Sequence, residues 1–141
     1  MKNILVVDDA ATVRLYHRKI LSDAGWQVSE ANNGIEALEK VLGAESTRPF
    51  DLFVVDVNMP KMDGYTFVRT LRRDGDRGVV PVLMVSTESK ARDAHAAQDA
   101  GANAYLTKPC QALDLVLTAA LLMGDAATAH STTLRMAERK A

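Results

Sequence analysis

The segment FDLFVVDVNMPKMDG, residues 50–64, decides the fold, because an apolar strand runs directly into an acidic loop there. Four consecutive apolar residues, 52–55, precede Asp56. An unbroken apolar run of this length is typical of a parallel strand that is covered on both faces. A carboxylate at the end of such a strand is costly unless a cation or a reaction partner meets it. Asp56 is therefore the first candidate for a functional residue.

Length and composition indicate one globular domain. The chain has 141 residues, of which 48% are apolar and 25% charged. Its apolar runs are shorter than the roughly 18 residues of a membrane-spanning helix, and the start MKNILVVDD does not resemble a signal peptide. A single cysteine, Cys110, agrees with a reducing compartment, and a formal charge of −1 gives no electrostatic argument for nucleic acid. We expect a cytoplasmic monomer without a membrane or nucleic-acid partner.

Strand-like apolar runs alternate with segments of helical spacing. The runs are 4–7, 28–31, 52–55, 82–85 and 104–106. This alternation predicts an α/β fold, (βα)5, with a doubly wound parallel sheet. The second run alternates in polarity and the fifth is short, so both are expected at sheet edges. The order 2-1-3-4-5 satisfies this, and it opens a crevice at the carboxyl ends of strands 1 and 3.

Helices are predicted where apolar residues recur every three or four positions. In the first helix this stripe consists of Val13, Tyr16, Ile20 and Ala24. Asp63 is the expected N-cap of the third helix. The pattern fades after Gly124, so we expect one domain over residues 1–123 and a tail or helical extension over 124–141.

Polar side chains at the carboxyl ends of the predicted strands converge on one rim of the sheet. Strand 1 ends in Asp8-Asp9, strand 3 in Asp56 and strand 4 in Ser86, and strand 5 leads into Lys108. Three carboxylates in one pocket repel each other, and Lys108 supplies only one positive charge. The remaining negative charge favours a divalent ion, and oxygen ligands select Mg²⁺ or a similar hard metal.

A magnesium site of this kind predicts phosphoryl transfer, because Mg²⁺ prefers a phosphate as a further ligand. Asp56 is the predicted nucleophile, which accepts a phosphoryl group and becomes an acyl phosphate. Mg²⁺ bridges Asp56 to Asp9 and neutralises charge on the phosphoryl oxygens. The Lys108 ammonium and the Ser86 hydroxyl are expected to bind the other oxygens.

At these residues the chain resembles the response-regulator receiver family, specifically its single-domain, chemotaxis-type (CheY-like) members, which share a flavodoxin-like fold. The resemblance covers about residues 2–123. It is found in VVDD at 6–9, VVDVNMPKMDG at 54–64, VLMVSTES at 82–89 and AGANAYLTKP at 100–109.

The resemblance implies a role for each matching residue of the site. Asp56 would be the phosphoacceptor and Asp9 a direct metal ligand, while Asp8 would hold the ion through water. The backbone carbonyl of Asn58 would complete the protein ligands. Lys108 matches the lysine of the family, which is normally followed by a cis proline, here Pro109.

The resemblance also implies how the signal is received and passed on. The donor would be the phosphohistidine of a sensor histidine kinase. Ser86 and Tyr105 match the family's switch pair, and the output face would be residues 90–122. Asn58 and Glu88 match the chemotaxis type and would orient the hydrolytic water, which implies self-dephosphorylation and a short-lived phosphoryl group.

Several functions compete at this point. We favour a phosphorylation-switched binding module over an enzyme, acting in chemotaxis on a motor switch protein or a kinase. A phosphorelay intermediate or a phosphate sink is the alternative. A magnesium-dependent aspartyl-phosphate phosphatase would need a cap domain, and a flavodoxin-like carrier would need a different loop from DDAAT. Residues 124–141 are too few for a DNA-binding module, so we expect docking on a protein partner.

The remaining candidate residues have ordinary structural explanations. His17, His95 and His130 lack metal-ligand spacing and are expected at the surface. Cys110 is expected to be a packed hydrophobic residue, and residues 72–77 a solvated loop.

Overall fold

The computed structural model describes residues 1–46, 48–88 and 90–140. In it, parallel strands form one sheet in the order β2-β1-β3-β4-β5. The strands are β1 Asn3–Val7, β2 Gln27–Ala31, β3 Leu52–Asp56, β4 Val82–Ser86 and β5 Ala104–Thr107. Val7 pairs with Val55, and Asp56 pairs with Val85, so the carboxyl ends of β1, β3 and β4 lie side by side. The predicted fold class and strand order are confirmed.

A helix follows each strand. The helices are α1 Ala11–Asp23, α2 Gly34–Leu42, α3 Gly64–Arg72, α4 Ala91–Ala100, α5 Ala112–Met123 and α6 Ala126–Lys140, and a short 3₁₀ helix spans Asp76–Val79. The side chain of Asp63 accepts a hydrogen bond from the backbone N–H of Thr66, which confirms the predicted N-cap of α3. Asn33 caps α2 in the same way by accepting from Glu36 N–H.

Helices cover both faces of the sheet, and each face has its own apolar core. Alternate residues of β1 and β3 point to opposite faces, as the twofold period of a strand requires. One core contains Leu5, Val7, Phe53, Val55 and the α3 residues Phe67, Val68 and Leu71. The other contains Ile4, Val6, Leu52, Val54, Leu21 of α1, Leu115 and Ala119 of α5, and Ala129 of α6. Residues 4–7 of β1 and all residues of β3 and β4 are buried, which explains the unbroken apolar runs in these strands.

The predicted stripe of α1 is confirmed for Ile20 and Ala24, which pack against the core, and wrong for Tyr16. His17 and Leu21 are the buried residues of this helix, whereas Tyr16 is 51% exposed. The expectation that His17 lies at the surface is also wrong, because only 3% of it is exposed. A helix on a sheet buries a narrow arc, and the docking angle rather than residue polarity sets its centre. An uncharged imidazole is tolerated there more easily than a charged side chain.

The expectation of a solvated loop at residues 72–77 is wrong for Arg72. Its half-buried guanidinium donates to the backbone carbonyls of Gly101 at 3.0 Å and Gly78 at 2.9 Å, to Val80 O, and to Oδ1 of Asn103 at 2.8 Å. Asn103 Oδ1 also accepts from Val82 N–H. Arg72 thereby joins the end of α3 to the turn between α4 and β5.

Residues after Gly124 form α6, which packs against α5. The indole N–H of Trp26 donates to Asp125 Oδ2 at 2.9 Å, and Asp125 also accepts from the backbone and hydroxyl of Thr128. Thr132 and Ala129 of α6 are buried. The helical extension, one of the two expected forms of this segment, is the one observed. The domain boundary after residue 123 stays a prediction.

The helices were compared with the length and hydropathy that a membrane span requires. None that the structure describes combines the length and the apolar character needed to cross a bilayer.

Candidate functional site

The predicted site residues meet at the carboxyl edge of the sheet. Asp8 and Asp9 lie between β1 and α1, and Asp56 is the last residue of the neighbouring strand β3. Asp8, Asp9 and Asp56 each place a carboxylate oxygen within 4.8 Å of the others. Asp8 and Asp56 are buried, whereas Asp9 is exposed. The strand order therefore assembles the acidic cluster that the strand ends predicted.

Lys108 connects the two buried acids. Its ammonium lies 2.7 Å from Asp8 Oδ2 and 3.1 Å from Asp56 Oδ1. The Lys108–Pro109 peptide bond is cis, as the resemblance implied. The cluster thus contains three carboxylates and one ammonium, and its charge remains negative while all three acids are ionised.

Burial and charge shift the pKa values of the reactive groups. Burial raises the pKa of Asp56 to about 6, the negative charge of Asp8 adds to this, and the Lys108 ammonium opposes it. Burial acts to lower the pKa of Lys108, but the hydrogen bond with Asp8 and the charge of Asp56 outweigh it and raise that pKa. Lys108 therefore stays protonated, and Asp56 is more basic than an ordinary aspartate.

The free oxygen atoms of the cluster suit a hard divalent cation. Asp8 uses both carboxylate oxygens within the protein, because Oδ1 accepts from Ala10 N–H at 2.9 Å and Oδ2 binds Lys108. Among the described residues, none donates to Asp9 or to Oδ2 of Asp56. Two carboxylates with open oxygen atoms fit Mg²⁺, and the engaged oxygens of Asp8 fit contact through water. Asn58 is exposed, and its carbonyl as a ligand stays a prediction.

The backbone of Glu88 joins the predicted switch pair. Ser86 is completely buried at the end of β4, and its Oγ accepts from Glu88 N–H at 3.2 Å. The hydroxyl of the half-buried Tyr105 donates to the carbonyl of Glu88 at 2.6 Å. The loop after β4 is therefore held by both residues at one point. The sequence pattern contained no signal for this contact, because it uses main-chain atoms of Glu88.

A close approach between the backbone of Asp56 and the start of α3 depends on Gly64. A Cβ atom at this position would lie 2.2 Å from the backbone oxygen of Asp56, closer than any real contact. Gly64 N–H donates to Val57 O at 2.8 Å, which folds the loop after β3 back over the strand end. The pattern of residue types contains no signal for this contact, because it depends on the main-chain oxygen of Asp56.

His17 and Cys110 lie beside the site but outside its chemistry. Their Nε2 and Sγ atoms are 4.0 Å apart in the buried layer below Lys108. Burial lowers the pKa of His17, and the charge of Lys108 lowers it further. Burial raises the pKa of the Cys110 thiol. Both groups are therefore uncharged near neutral pH, which confirms Cys110 as a packed hydrophobic residue.

Comparison with protein families identifies one match over most of the chain. Residues 4–120 match the family model of the response regulator receiver domain. Among curated proteins, the KDP operon transcriptional regulatory protein KdpE of Escherichia coli is 39% identical over 109 residues, which cover 77% of this chain and 45% of KdpE. Response regulator MprA of Mycobacterium ulcerans is 43% identical over 75% of this chain and 43% of its own length. The alignments thus span less than half of these relatives.

Solved structures with the same fold include a chemotaxis protein and a further response regulator. Chemotaxis protein CheY4 of Vibrio cholerae is 35% identical with a TM-score of 0.74, and the match covers 84% of this chain and 94% of CheY4. A putative response regulator from Chloroflexus aurantiacus is 31% identical with a TM-score of 0.81, and the match covers 87% of this chain and 98% of that one.

Proposed function

The chain belongs to the response regulator receiver domain family, and we propose that it accepts a phosphoryl group on Asp56 and thereby switches the binding of a partner. A receiver domain is a phosphoacceptor signalling domain of a two-component system and not a classical enzyme. The donor in this proposal is the phosphohistidine of a sensor histidine kinase.

One observation supports this assignment more than any other. The Lys108 ammonium binds Oδ1 of Asp56 and leaves Oδ2 open, in a cluster that also contains the exposed carboxylate of Asp9. A nucleophile needs a free lone pair, and a transferred phosphoryl group needs cations on its other oxygens. The arrangement supplies both within one cluster.

The chemistry follows from these positions. A carboxylate oxygen of Asp56 attacks the phosphorus atom, and the bond between phosphorus and the donor imidazole nitrogen breaks, with its electron pair going to that nitrogen. Bound Mg²⁺, held by Asp9 and Asp56 and through water by Asp8, would neutralise charge on the phosphoryl oxygens. Lys108 binds a phosphoryl oxygen as a point charge, and the Ser86 hydroxyl donates to another.

Signal output starts at the loop after β4. When Ser86 Oγ turns to the phosphoryl group it leaves Glu88 N–H, and the carbonyl of Glu88 is the acceptor of Tyr105. A local charge change thus acts on both members of the switch pair through one residue. The partner would dock on residues 90–122. Asn58 and the Glu88 side chain, which are both exposed and follow Asp56 and Ser86 by two residues, would orient the water for self-dephosphorylation.

Two pathways are candidates for the output. Chemotaxis is favoured by the likeness to CheY4 and by the Asn58 and Glu88 pair, with a motor switch protein or a kinase as partner. The name of KdpE, a transcriptional regulatory protein, favours transcription as the second candidate, so the expectation of no nucleic-acid partner has no support from the relatives. A phosphorelay intermediate or phosphate sink remains the alternative to both. The cytoplasmic location and the monomeric state stay predictions.

A small phosphodonor tests the proposal without knowledge of the kinase. Incubation with acetyl phosphate and Mg²⁺ should add one phosphoryl group, which mass spectrometry of peptides should map to Asp56. Asp56→Asn should remain unlabelled, and chelation of the metal should abolish labelling of the wild type. Equal labelling of Asp56→Asn, or labelling at another residue, would refute the assignment. Binding of a purified motor switch protein only with beryllofluoride present would then favour chemotaxis.

A further inference from the structure

Arg14 lies directly behind the acidic cluster, and none of the assigned roles uses it. Its Nη1 donates to the backbone carbonyl of Asp8 at 2.7 Å. Its Nε donates to Glu30 Oε1 at 3.2 Å, and Glu30 Oε2 accepts from Arg18 at 2.8 Å. Only 14% of the Arg14 side chain is exposed, against 51% for Arg18. Arg14 is therefore the inner member of a chain of three charged residues that ends on the main chain of Asp8.

The bond from Arg14 completes the partners of Asp8. The N–H of Asp8 donates to Ala31 O at 3.1 Å, and its two carboxylate oxygens bind Ala10 N–H and Lys108. Its carbonyl oxygen accepts a hydrogen bond from Arg14. Every polar atom of Asp8 is thus engaged, and the peptide that joins Asp8 to Asp9 is held in one orientation.

Asp9 depends on that orientation more than the other acids do. It is exposed and makes no side-chain hydrogen bond or ion pair with the residues that the structure describes. Its position opposite Asp56 is therefore determined by the backbone that precedes it. Rotation of the Asp8 carbonyl would turn the following peptide and move the Asp9 carboxylate relative to Asp56.

Glu30 gives Arg14 a defined direction. It lies on edge strand β2 beside Val6, and hydrogen bonds from Arg18 and then Arg14 hold its pKa below the usual value. It is consequently ionised near neutral pH and binds the Nε side of the guanidinium, while Nη1 points to Asp8. A planar guanidinium held at two edges is well suited to positioning, because its donors have a fixed geometry.

We propose that Arg14 is a positioning residue for the magnesium site, which holds the Asp8 carbonyl so that the Asp9 carboxylate faces Asp56. This inference rests on the proposed function, since it concerns the ion that the cluster would bind. It assigns Arg14 no contact with the ion or the phosphoryl group. Glu30 orients Arg14, whereas Arg18 binds only the other carboxylate oxygen of Glu30 and takes no part in the positioning.

The charge of Arg14 and its positioning role predict opposite changes in Mg²⁺ affinity when Arg14 is replaced, which makes the proposal testable. Loss of a nearby positive charge would by itself strengthen the binding of a dication. Loss of positioning weakens it, and outer residues that orient metal ligands typically change affinity by about 10- to 100-fold. Because Arg14 acts through the backbone, we expect Arg14→Met to weaken Mg²⁺ binding by about tenfold, at the lower end of that range.

The experiment measures the Mg²⁺ dissociation constant by isothermal titration calorimetry in four proteins: wild type, Arg14→Met, Arg14→Lys and Arg18→Met. Arg18→Met is the matched control, because it removes a charge from the same glutamate without touching Asp8, and it should bind as the wild type does or slightly tighter. Arg14→Lys keeps the charge but loses the fork, so its affinity should also fall. If Arg14→Met does not fold, the Mg²⁺ affinity of Arg14→Lys tests the proposal in its place.

The outcomes separate this inference from the proposed function. Weaker binding in both Arg14 variants with an unchanged Arg18→Met supports positioning. Unchanged or tighter binding in the folded Arg14 variants overturns the inference and leaves the proposed function intact. A wild type that binds no Mg²⁺ overturns both. Amide chemical shifts provide a second readout, because Arg14→Met should shift the Asp9 and Ala10 signals in metal-free protein and Arg18→Met should not.

Discussion

Lys108 donates to Oδ1 of Asp56 at 3.1 Å and leaves Oδ2 of this carboxylate without a donor among the described residues. The two carboxylate oxygens of Asp56 are therefore inequivalent before any ligand arrives. One is held by a cation, and the other remains available to a ligand of the cluster that Asp56 forms with Asp8 and Asp9.

Replacement of Lys108 should slow phosphorylation without weakening Mg²⁺ binding. Lys108→Met removes the single ammonium that balances Asp8 and Asp56, so the cluster becomes more negative. We expect equal or tighter Mg²⁺ binding, because the attraction for a dication increases. Phosphorylation by acetyl phosphate should slow by about 100-fold, the usual cost of losing one donor to developing charge. A similar loss of Mg²⁺ affinity and of phosphorylation rate would contradict this role of Lys108.

The raised pKa of Asp56 predicts a pH-dependent gain in stability for Asp56→Asn in metal-free buffer. The pKa of about 6 in the folded protein exceeds the ordinary value of 3.8, so ionisation of Asp56 disfavours the folded state. This cost is fully present above pH 6 and disappears as the pH falls toward 4. Asp56→Asn should therefore be more stable by about 2 to 3 kcal/mol at pH 7.5, and the difference should vanish near pH 4. Urea unfolding in EDTA at several pH values measures it, and a constant difference would disprove the explanation.

The contact between Trp26 and Asp125 makes the docking of α6 observable by fluorescence. Trp26 is the single tryptophan and is 6% exposed. Asp125→Ala removes the acceptor of its indole N–H and the cap at the start of α6, so the emission at pH 7 should shift to longer wavelength. Asp99→Ala, an exposed acid of α4, is the matched control and should leave the spectrum unchanged.

The same contact predicts an acid-induced change. The hydrogen bond from Trp26, followed by those from Thr128, lowers the pKa of Asp125 below 3.8. Because the pKa of Asp125 is lower in the docked state than in the unfolded chain, its ionised carboxylate stabilises the docked helix at pH values above the unfolded pKa. This stabilisation is lost as the pH falls through the lowered pKa of the docked state. The Asp125→Ala emission should lack this acid-dependent component, while an identical acid titration in both proteins would exclude Asp125 as its origin.

Arg72 should contribute more to stability than its place near a loop suggests. Arg72→Met would leave three backbone carbonyls and the Asn103 amide oxygen without their charged donor in a half-buried site. Hydrogen bonds to charged groups contribute about 1.5 to 3 kcal/mol each, and water can replace some of them, so we expect a loss of about 2 to 4 kcal/mol. The exposed neighbour Arg73 provides the control: Arg73→Met should change the free energy of unfolding by less than about 0.5 kcal/mol. Similar values for the two variants would contradict this account.

The parts of the molecule that were predictable have local causes in the sequence. Asp8, Asp56, Ser86 and Lys108 follow apolar runs, and parallel strands place all their carboxyl ends at one edge, so convergence required no tertiary information. The Asp63 cap was likewise visible from its neighbours.

The contacts that were missed join main-chain atoms or distant segments. Arg14 binds the carbonyl of Asp8, and Glu88 joins Ser86 to Tyr105 through its backbone, so neither role depends on a pattern of side-chain types. The docking of α6 rests on a bond between residues 99 positions apart. The burial of His17 depends on the angle at which α1 lies on the sheet.

The location of the metal tests the central claim most directly. Mn²⁺ can replace Mg²⁺ at oxygen sites and broadens the NMR signals of nearby amides. Substoichiometric Mn²⁺ should broaden the amides of residues 8–10 and 56–58, excess Mg²⁺ should reverse the effect, and a variant lacking the open carboxylates, Asp9→Asn with Asp56→Asn, should abolish it. Broadening at other residues, or none at all, would contradict a magnesium-dependent phosphoacceptor site at the carboxyl edge of β1 and β3.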